Sequence, residues 1–130
     1  AAAVKRLQPK AKVIGVEPEG AACMRAALDN GSPALLGHVE TIADGLAGSI
    51  VSQLTFEHAR DLVDDVVTVT DDAIRSATSL LIERQKAIVE FSGATAVAAL
   101  LSGKQAVNGG RVAVVVSGGN LDPSFLPQLV

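Results

Sequence analysis

Four short stretches hold the residues whose types and spacing suit chemistry. Ser117-Gly118-Gly119-Asn120 follows five apolar residues, Val112 to Val116. Adjacent glycines let the backbone come close to a ligand, and Ser117 offers a hydroxyl that makes a hydrogen bond without carrying charge. The same four residues also suit an ordinary glycine turn into the tail, and spacing alone leaves the two readings balanced. Glu90 precedes Phe91-Ser92-Gly93-Ala94; it is either a carboxylate facing a ligand or an acid at a helix N-terminus. Thr41-Ile42-Ala43-Asp44-Gly45 ends in an Asp-Gly pair that favours a turn; alone it reads as a surface turn. Glu17 closes a short apolar run, where its oxygens suit a hard cation such as magnesium or calcium; a solvated or paired glutamate is the plainer alternative.

Other chemistries find little support. His38 and His58 lack ligand spacing and, with a single cysteine, Cys23, give no zinc signature. Neither a Ser-His-Asp constellation nor a glycine-rich phosphate loop is present. The five lysines, Lys5, Lys10, Lys12, Lys86 and Lys104, stand in polar or helix-end contexts. Asp61, Asp64 and Asp65 read as a solvated face. Net charge is −3 without a basic run, and aromatics are 2% of the chain, so nucleic acid is not an expected partner. No apolar run approaches the roughly 18 residues of a membrane span, and one cysteine suits a reducing, cytoplasmic setting.

The elements that must position these residues alternate. Ala1 to Leu7 reads as a helix ended by Pro9. Val13 to Val16 is a strand, and Ala21 to Leu28 a helix stopped by Asp29-Asn30-Gly31. Residues 32–52 form a long loop. Phe56 to Val63 is a helix and Val66 to Val69 a β-branched strand. Thr70 suits a helix N-cap, with Asp71 and Asp72 behind it; the apolar spacing of Ile74, Ala77, Leu81 and Ile82 carries that helix to about Lys86. Ile88-Val89 is extended, and Ser92 to Val107 is an alanine-rich helix ended by Asn108-Gly109-Gly110. Val112 to Val116 predicts a strand covered on both faces. The pattern predicts an α/β fold, an open, mostly parallel sheet with helices on both faces. In such folds ligands bind beyond the carboxyl ends of the strands, near Glu17, Val69-Thr70-Asp71 and Ser117.

Five pieces in order, Val13-Ile14-Gly15-Val16-Glu17-Pro18, Thr41 to Gly45, Leu62-Val63-Asp64-Asp65-Val66, Val89-Glu90 with Ser92-Gly93-Ala94, and Ser117 to Asn120, make the chain resemble the fold-type II pyridoxal-phosphate enzymes, of the threonine dehydratase and serine racemase group. The resemblance implies a tryptophan synthase β-like fold, incomplete here, with residues 1–130 as the C-terminal part of the large cofactor domain. It implies pyridoxal 5'-phosphate as cofactor. Ser117 would bond the pyridine nitrogen, Gly45 would line the cofactor with its backbone, Glu90 would be the acid near the ring, and Gly118 and Asn120 would complete the motif. The implied reaction is β-elimination of water from L-threonine or L-serine, giving a 2-oxo acid and ammonia. A neutral hydroxyl at the ring nitrogen leaves the ring a weaker electron sink, which suits a readily departing group. The alternatives are a serine racemase or 3-hydroxyaspartate lyase of the same fold, or an α/β binding module without catalysis.

The resemblance also implies that Glu17 and the carbonyl of Ala21 belong to a divalent-cation site, and that the full enzyme is a homo-oligomer acting on small amino acids. Two departures bear on this. Cys23 stands where some members have aspartate, and Phe91 where many have proline. The family's Schiff-base lysine and phosphate loop would lie before Ala1, so the 130 residues alone are expected to be inactive and, with a cut sheet edge, of marginal stability.

Overall fold

The computed structural model describes residues 1–104 and 109–129. Helix α1 (Ala2–Leu7) leads to strand β1 (Ile14–Pro18), helix α2 (Cys23–Asn30), helix α3 (Gln53–Leu62), strand β2 (Asp65–Val69), helix α4 (Asp71–Leu80) and helix α5 (Phe91–Leu101). β1 and β2 pair in parallel, from Ile14 opposite Asp65 to Pro18 opposite Val69. The crossover between them carries α2, the long loop and α3, as a parallel pair requires.

Local chemistry sets the helix limits. The Ser52 hydroxyl accepts the Thr55 N–H, so α3 begins three residues before the apolar spacing does. The Thr70 hydroxyl accepts the Ala73 N–H at 3.2 Å and starts α4 as predicted. Gly31, at φ +74°, closes α2 in the left-handed region. A wider turn, Leu81–Gln85, extends α4, and Lys86 at φ 56° ends it. Beyond Lys86, Ile88-Val89 belongs to no strand, and Glu90 is extended.

α5 is the centre of the molecule. It packs along α4 and against both strands. Ala94, Ala98 and Ala99 face Ile74, Ala77 and Leu81 in one core with Val69, Val89 and Phe91. Alanine on this face lets the two helix backbones approach closely. The helix ends at Leu101, short of the predicted Val107; residues 105–108, including Val107 and Asn108, lie outside the described residues.

Val112 to Val116 departs from the expected covered strand. It pairs with no strand among the described residues, and Val115 is 78% exposed. A cleft of about 840 Å³ separates this segment from Val13, Ile14 and Val16 on one side and Ala99 and Leu100 on the other. An apolar run reports a preference for burial; it becomes a covered strand only where a neighbour supplies the ladder bonds and the opposing faces.

Candidate functional site

The N-terminus of α5 gathers residues from three separate parts of the chain. Glu90 is its N-cap residue, in extended conformation, but its side chain does not bond the helix. It turns instead toward the C-terminal segment. The Asn120 N–H donates to Glu90 Oε2 at 3.0 Å, and the Glu90 N–H donates to the Gly118 carbonyl at 3.2 Å. The Ser117–Asn120 turn is therefore clasped around Glu90 by one backbone bond and one charge-assisted bond.

Two glycines make the clasp possible. Gly118 has φ +79°, and a Cβ there would lie 2.3 Å from Glu90 Oε1. A Cβ on Gly93, in the first turn of α5, would lie 1.6 Å from the Ser117 carbonyl oxygen. Only bare backbone lets the turn pass so close to the helix.

Gly45 approaches the same helix terminus within a short 3-10 turn, Asp44–Leu46. The position of a Cβ on Gly45 lies 2.9 Å from Ser92 Oγ and 3.7 Å from Glu90 Oε1. Gly45, Ser117, Gly118 and Asn120 are all exposed, and Glu90 is half-buried. The structure thus brings together all five residues that the sequence nominates for the cofactor. It adds Gly93, and it adds Ser92, whose Oγ is buried without a hydrogen-bond partner. The signal that could have found Ser92 was its place two residues after Glu90 at a helix start.

Phe91 fills the space under this site. Its ring meets Phe125 edge-on at 5.2 Å between centroids, and the Arg75 guanidinium lies 5.7 Å from the Phe91 centroid. Phe91 thereby ties the tail that follows Asn120 to α4 and α5.

Glu17 and Ala21 lie elsewhere, where β1 runs into α2. Glu17 Oε1 accepts the Met24 N–H at 2.8 Å and faces Cys23 Sγ at 3.7 Å, while Oε2 accepts the Arg25 N–H at 2.8 Å. The carboxylate thus serves the free N–H groups of α2. Burial, reinforced by the Glu17 charge, raises the Cys23 thiol above its ordinary pKa. Neighbouring sulfur is a soft donor and a poor ligand for magnesium or calcium, so this donor set does not fit a hard cation. Among the described residues no group of three or more His, Cys, Asp or Glu stands ready to hold a metal.

The lysines have partners or surroundings other than the five nominated residues. Lys5 pairs with Asp64 at 2.6 Å, Lys86 donates to the Glu83 carbonyl at 2.7 Å, and Lys104 faces Glu19 at 3.9 Å. Lys10 and Lys12 border the cleft beside Val13. No helix among the described residues is long and apolar enough to cross a membrane.

The chain is similar to known proteins along nearly all of its length. Residues 1–118 match the family described as pyridoxal-phosphate dependent enzyme. A protein described as a putative threonine dehydratase from Sinorhizobium fredii is 43% identical over 132 residues, which is 100% of this chain and 40% of that protein. The catabolic L-threonine dehydratase of Escherichia coli is 40% identical over 131 residues, covering 99% of this chain and 40% of its own. Among solved structures, maize serine racemase superposes with a TM-score of 0.89 at 38% identity, over 98% of this chain and 42% of that one. The chain therefore spans about 40% of the length of these curated relatives.

Proposed function

This chain belongs to the family of pyridoxal-phosphate dependent enzymes, and from that premise we propose that it forms the C-terminal wall of the cofactor site in a threonine or serine ammonia-lyase. The observation that carries the reading is the convergence of Gly45, Glu90, Ser117, Gly118 and Asn120 on the N-terminus of α5. The relatives described as threonine dehydratases support the reaction class. A racemase of the same fold is the second reading, favoured by the likeness to maize serine racemase.

The site fits the cofactor on two counts. Bare glycine backbone at 45, 93 and 118 lets three stretches of chain close around Glu90 with main-chain groups exposed beside it, and the exposed Ser117 offers a hydroxyl that can donate to a ring nitrogen. When bound, pyridoxal phosphate supplies an electron-withdrawing ring that stabilises charge at the α-carbon of an amino acid. The chain's own residues orient that ring. Ser117 holds a proton toward the nitrogen without lending it positive charge. Glu90, held by the Asn120 N–H, keeps the Ser117 turn in register with α5. Gly45 brings a further stretch of bare backbone to Glu90 and Ser92. The lysine that does the covalent work belongs to the portion of the enzyme outside these residues. So do the strands that would flank Val112 to Val116 and fill the cleft beside β1. Cytoplasmic location, a homo-oligomeric enzyme and small amino-acid substrates belong to the same proposal.

The test is Ser117→Ala in the intact protein that carries this chain. Loss of one hydrogen bond to the ring is expected to lower kcat for ammonia release from threonine about ten-fold, since such a bond contributes about 1–2 kcal/mol. It should also shift the cofactor's absorption band. A variant with the parent's rate and spectrum would remove Ser117 from the site, and D-serine as the main product when the parent protein is given L-serine would move the assignment to a racemase.

No divalent cation is part of this proposal. Chelation with EDTA, or added magnesium or calcium, is expected to leave the thermal midpoint of the intact protein unchanged. Cys23→Asp, which restores a hard oxygen donor beside Glu17, is expected to gain a calcium-dependent rise. A calcium-dependent rise in the parent protein would show that Glu17 binds the ion despite its present bonds.

A further inference from the structure

We propose that Asp71 is a positioning residue for the Gly45 side of the cofactor site, an inference that rests on the function proposed above. Asp71 opens α4 immediately beyond the carboxyl end of β2. Its Oδ1 accepts the Thr41 hydroxyl at 2.6 Å and its Oδ2 accepts the Ile42 N–H at 3.0 Å. Thr41 Oγ1 in turn accepts the Ala43 N–H at 3.1 Å. The polarity is consistent along the chain of bonds: the threonine hydroxyl gives its proton to the carboxylate and takes one from Ala43.

These bonds matter because they fix the backbone of the two residues that lead to the Asp44-Gly45 turn, beside the apolar contacts of Ile42, Ala43 and Leu46. Residues 38–43 belong to no helix or strand. The Glu40 N–H reaches the Gly20 carbonyl, but beyond it the backbone N–H groups of Ile42 and Ala43 depend on Asp71 and Thr41. Ala43 is fully buried in the core and Gly45, two residues on, is exposed. Asp71 thus sets the point at which the chain leaves the core and presents its glycine backbone. Its frame is rigid, because α4 is capped by Thr70 and packed along α5, the helix that carries Glu90. One carboxylate ties the Gly45 wall to the same scaffold as the Glu90 and Ser117 wall. The spacing of the two walls then follows from α4 and α5 packing rather than from loop conformation.

Loss of the clamp is therefore expected to act on cofactor affinity more than on folding. The remaining contacts of Ile42 and Leu46 with the core keep the loop attached. The experiment is a fluorescence titration of the intact cofactor-free protein with pyridoxal phosphate, beside its thermal midpoint. Asp71→Asn keeps an acceptor for Thr41 but places an N–H group against that of Ile42; its Kd is expected to rise about ten-fold. Asp71→Ala, which loses both bonds, is expected to lose about a hundred-fold. Thr41→Val, similar in shape but without the hydroxyl, should reproduce part of the loss. In each case the cofactor-free protein should melt near the parent's temperature, and the bound cofactor's emission should shift.

Gly45→Ala serves as the control, since its Cβ would press on Ser92 Oγ at 2.9 Å. If Gly45→Ala weakens binding and Asp71→Ala does not, Asp71 is no positioning residue and the proposed site stands. Asp71 is equally excluded from that role if Asp71→Ala lowers the melting point at unchanged affinity. If Gly45→Ala binds as the parent does, the Gly45 wall itself is misassigned and the inference falls with it.

Discussion

Gly93→Ala is expected to weaken pyridoxal-phosphate binding by more than about a hundred-fold in the intact protein, although helix propensity alone argues for the opposite. Glycine inside a helix costs about 1 kcal/mol relative to alanine, so on an open helix face this substitution would stabilise. Here the new methyl carbon would stand 1.6 Å from the Ser117 carbonyl oxygen and 2.9 Å from Val89 Cγ1. Backbone lies on one side and a core residue on the other, so neither neighbour can rotate away. Overpacking of this kind costs about 1–3 kcal/mol, and the Ser117–Asn120 turn is the softer partner because it is exposed and belongs to no sheet. Its departure breaks the bonds between Glu90 and both Gly118 and Asn120, which adds about 1–3 kcal/mol where a charged group is involved. Cofactor titration reads the affinity, and hydrogen exchange at the Asn120 amide reads the clasp. Parent affinity with a protected Asn120 amide would show that α5 shifts to absorb the methyl group. Gly118 makes a useful contrast. A Cβ there meets the Glu90 carboxylate, a side chain able to turn, but its positive φ adds backbone strain that alanine does not relieve.

Features decided within a few residues are legible in the sequence, and features decided across the fold are not. Thr70 caps α4 because a hydroxyl three residues from a free N–H needs no distant partner. Gly31 stops α2 for an equally local reason. Glu90 and Ser117 stand out as candidates through their glycine neighbours, yet their joining does not, since a turn around a carboxylate some thirty residues away leaves no mark on local spacing. Ser92 and Asp71 show this more sharply. One reads as an ordinary helix-start serine and the other as an ordinary acid at a helix dipole; each acquires its role from Gly45 or Thr41, on a different part of the fold. Glu17 stands out through its oxygens, but that the first free N–H groups of α2 bond its carboxylate is not legible from the residues around it. Val112 to Val116 misleads for the complementary reason. The run is apolar enough for a central strand, but a strand is a property of a pair.

The 130-residue chain produced alone and supplied with pyridoxal phosphate is expected to release ammonia from threonine no faster than free cofactor does. The reason is geometric. A lysine amine does the covalent work in this chemistry, and it must reach the reacting carbon beside the ring. The five lysines of this chain are placed otherwise. Lys5 is tied to Asp64 and to the Ala11 carbonyl, at the amino end of the sheet. Lys10 and Lys12 border the cleft beside the start of β1, also at the amino end. Lys86 folds back on its own turn, and Lys104 follows the carboxyl end of α5, the opposite end from Glu90. On the proposed function Gly45, Glu90 and Ser117 hold and orient a ring, and among the described residues no lysine pairs or bonds with them. Cofactor binding and catalysis should therefore separate. Weak binding to the isolated chain, abolished by Gly93→Ala, would fit a half-site. Turnover well above that of free cofactor would show that one of the lysines reaches the ring, and Lys→Ala replacement at each would identify it. On the proposed function the intact protein that carries this chain is expected to turn over threonine, with the amine supplied from outside these residues and α5 supplying the surface that holds the ring.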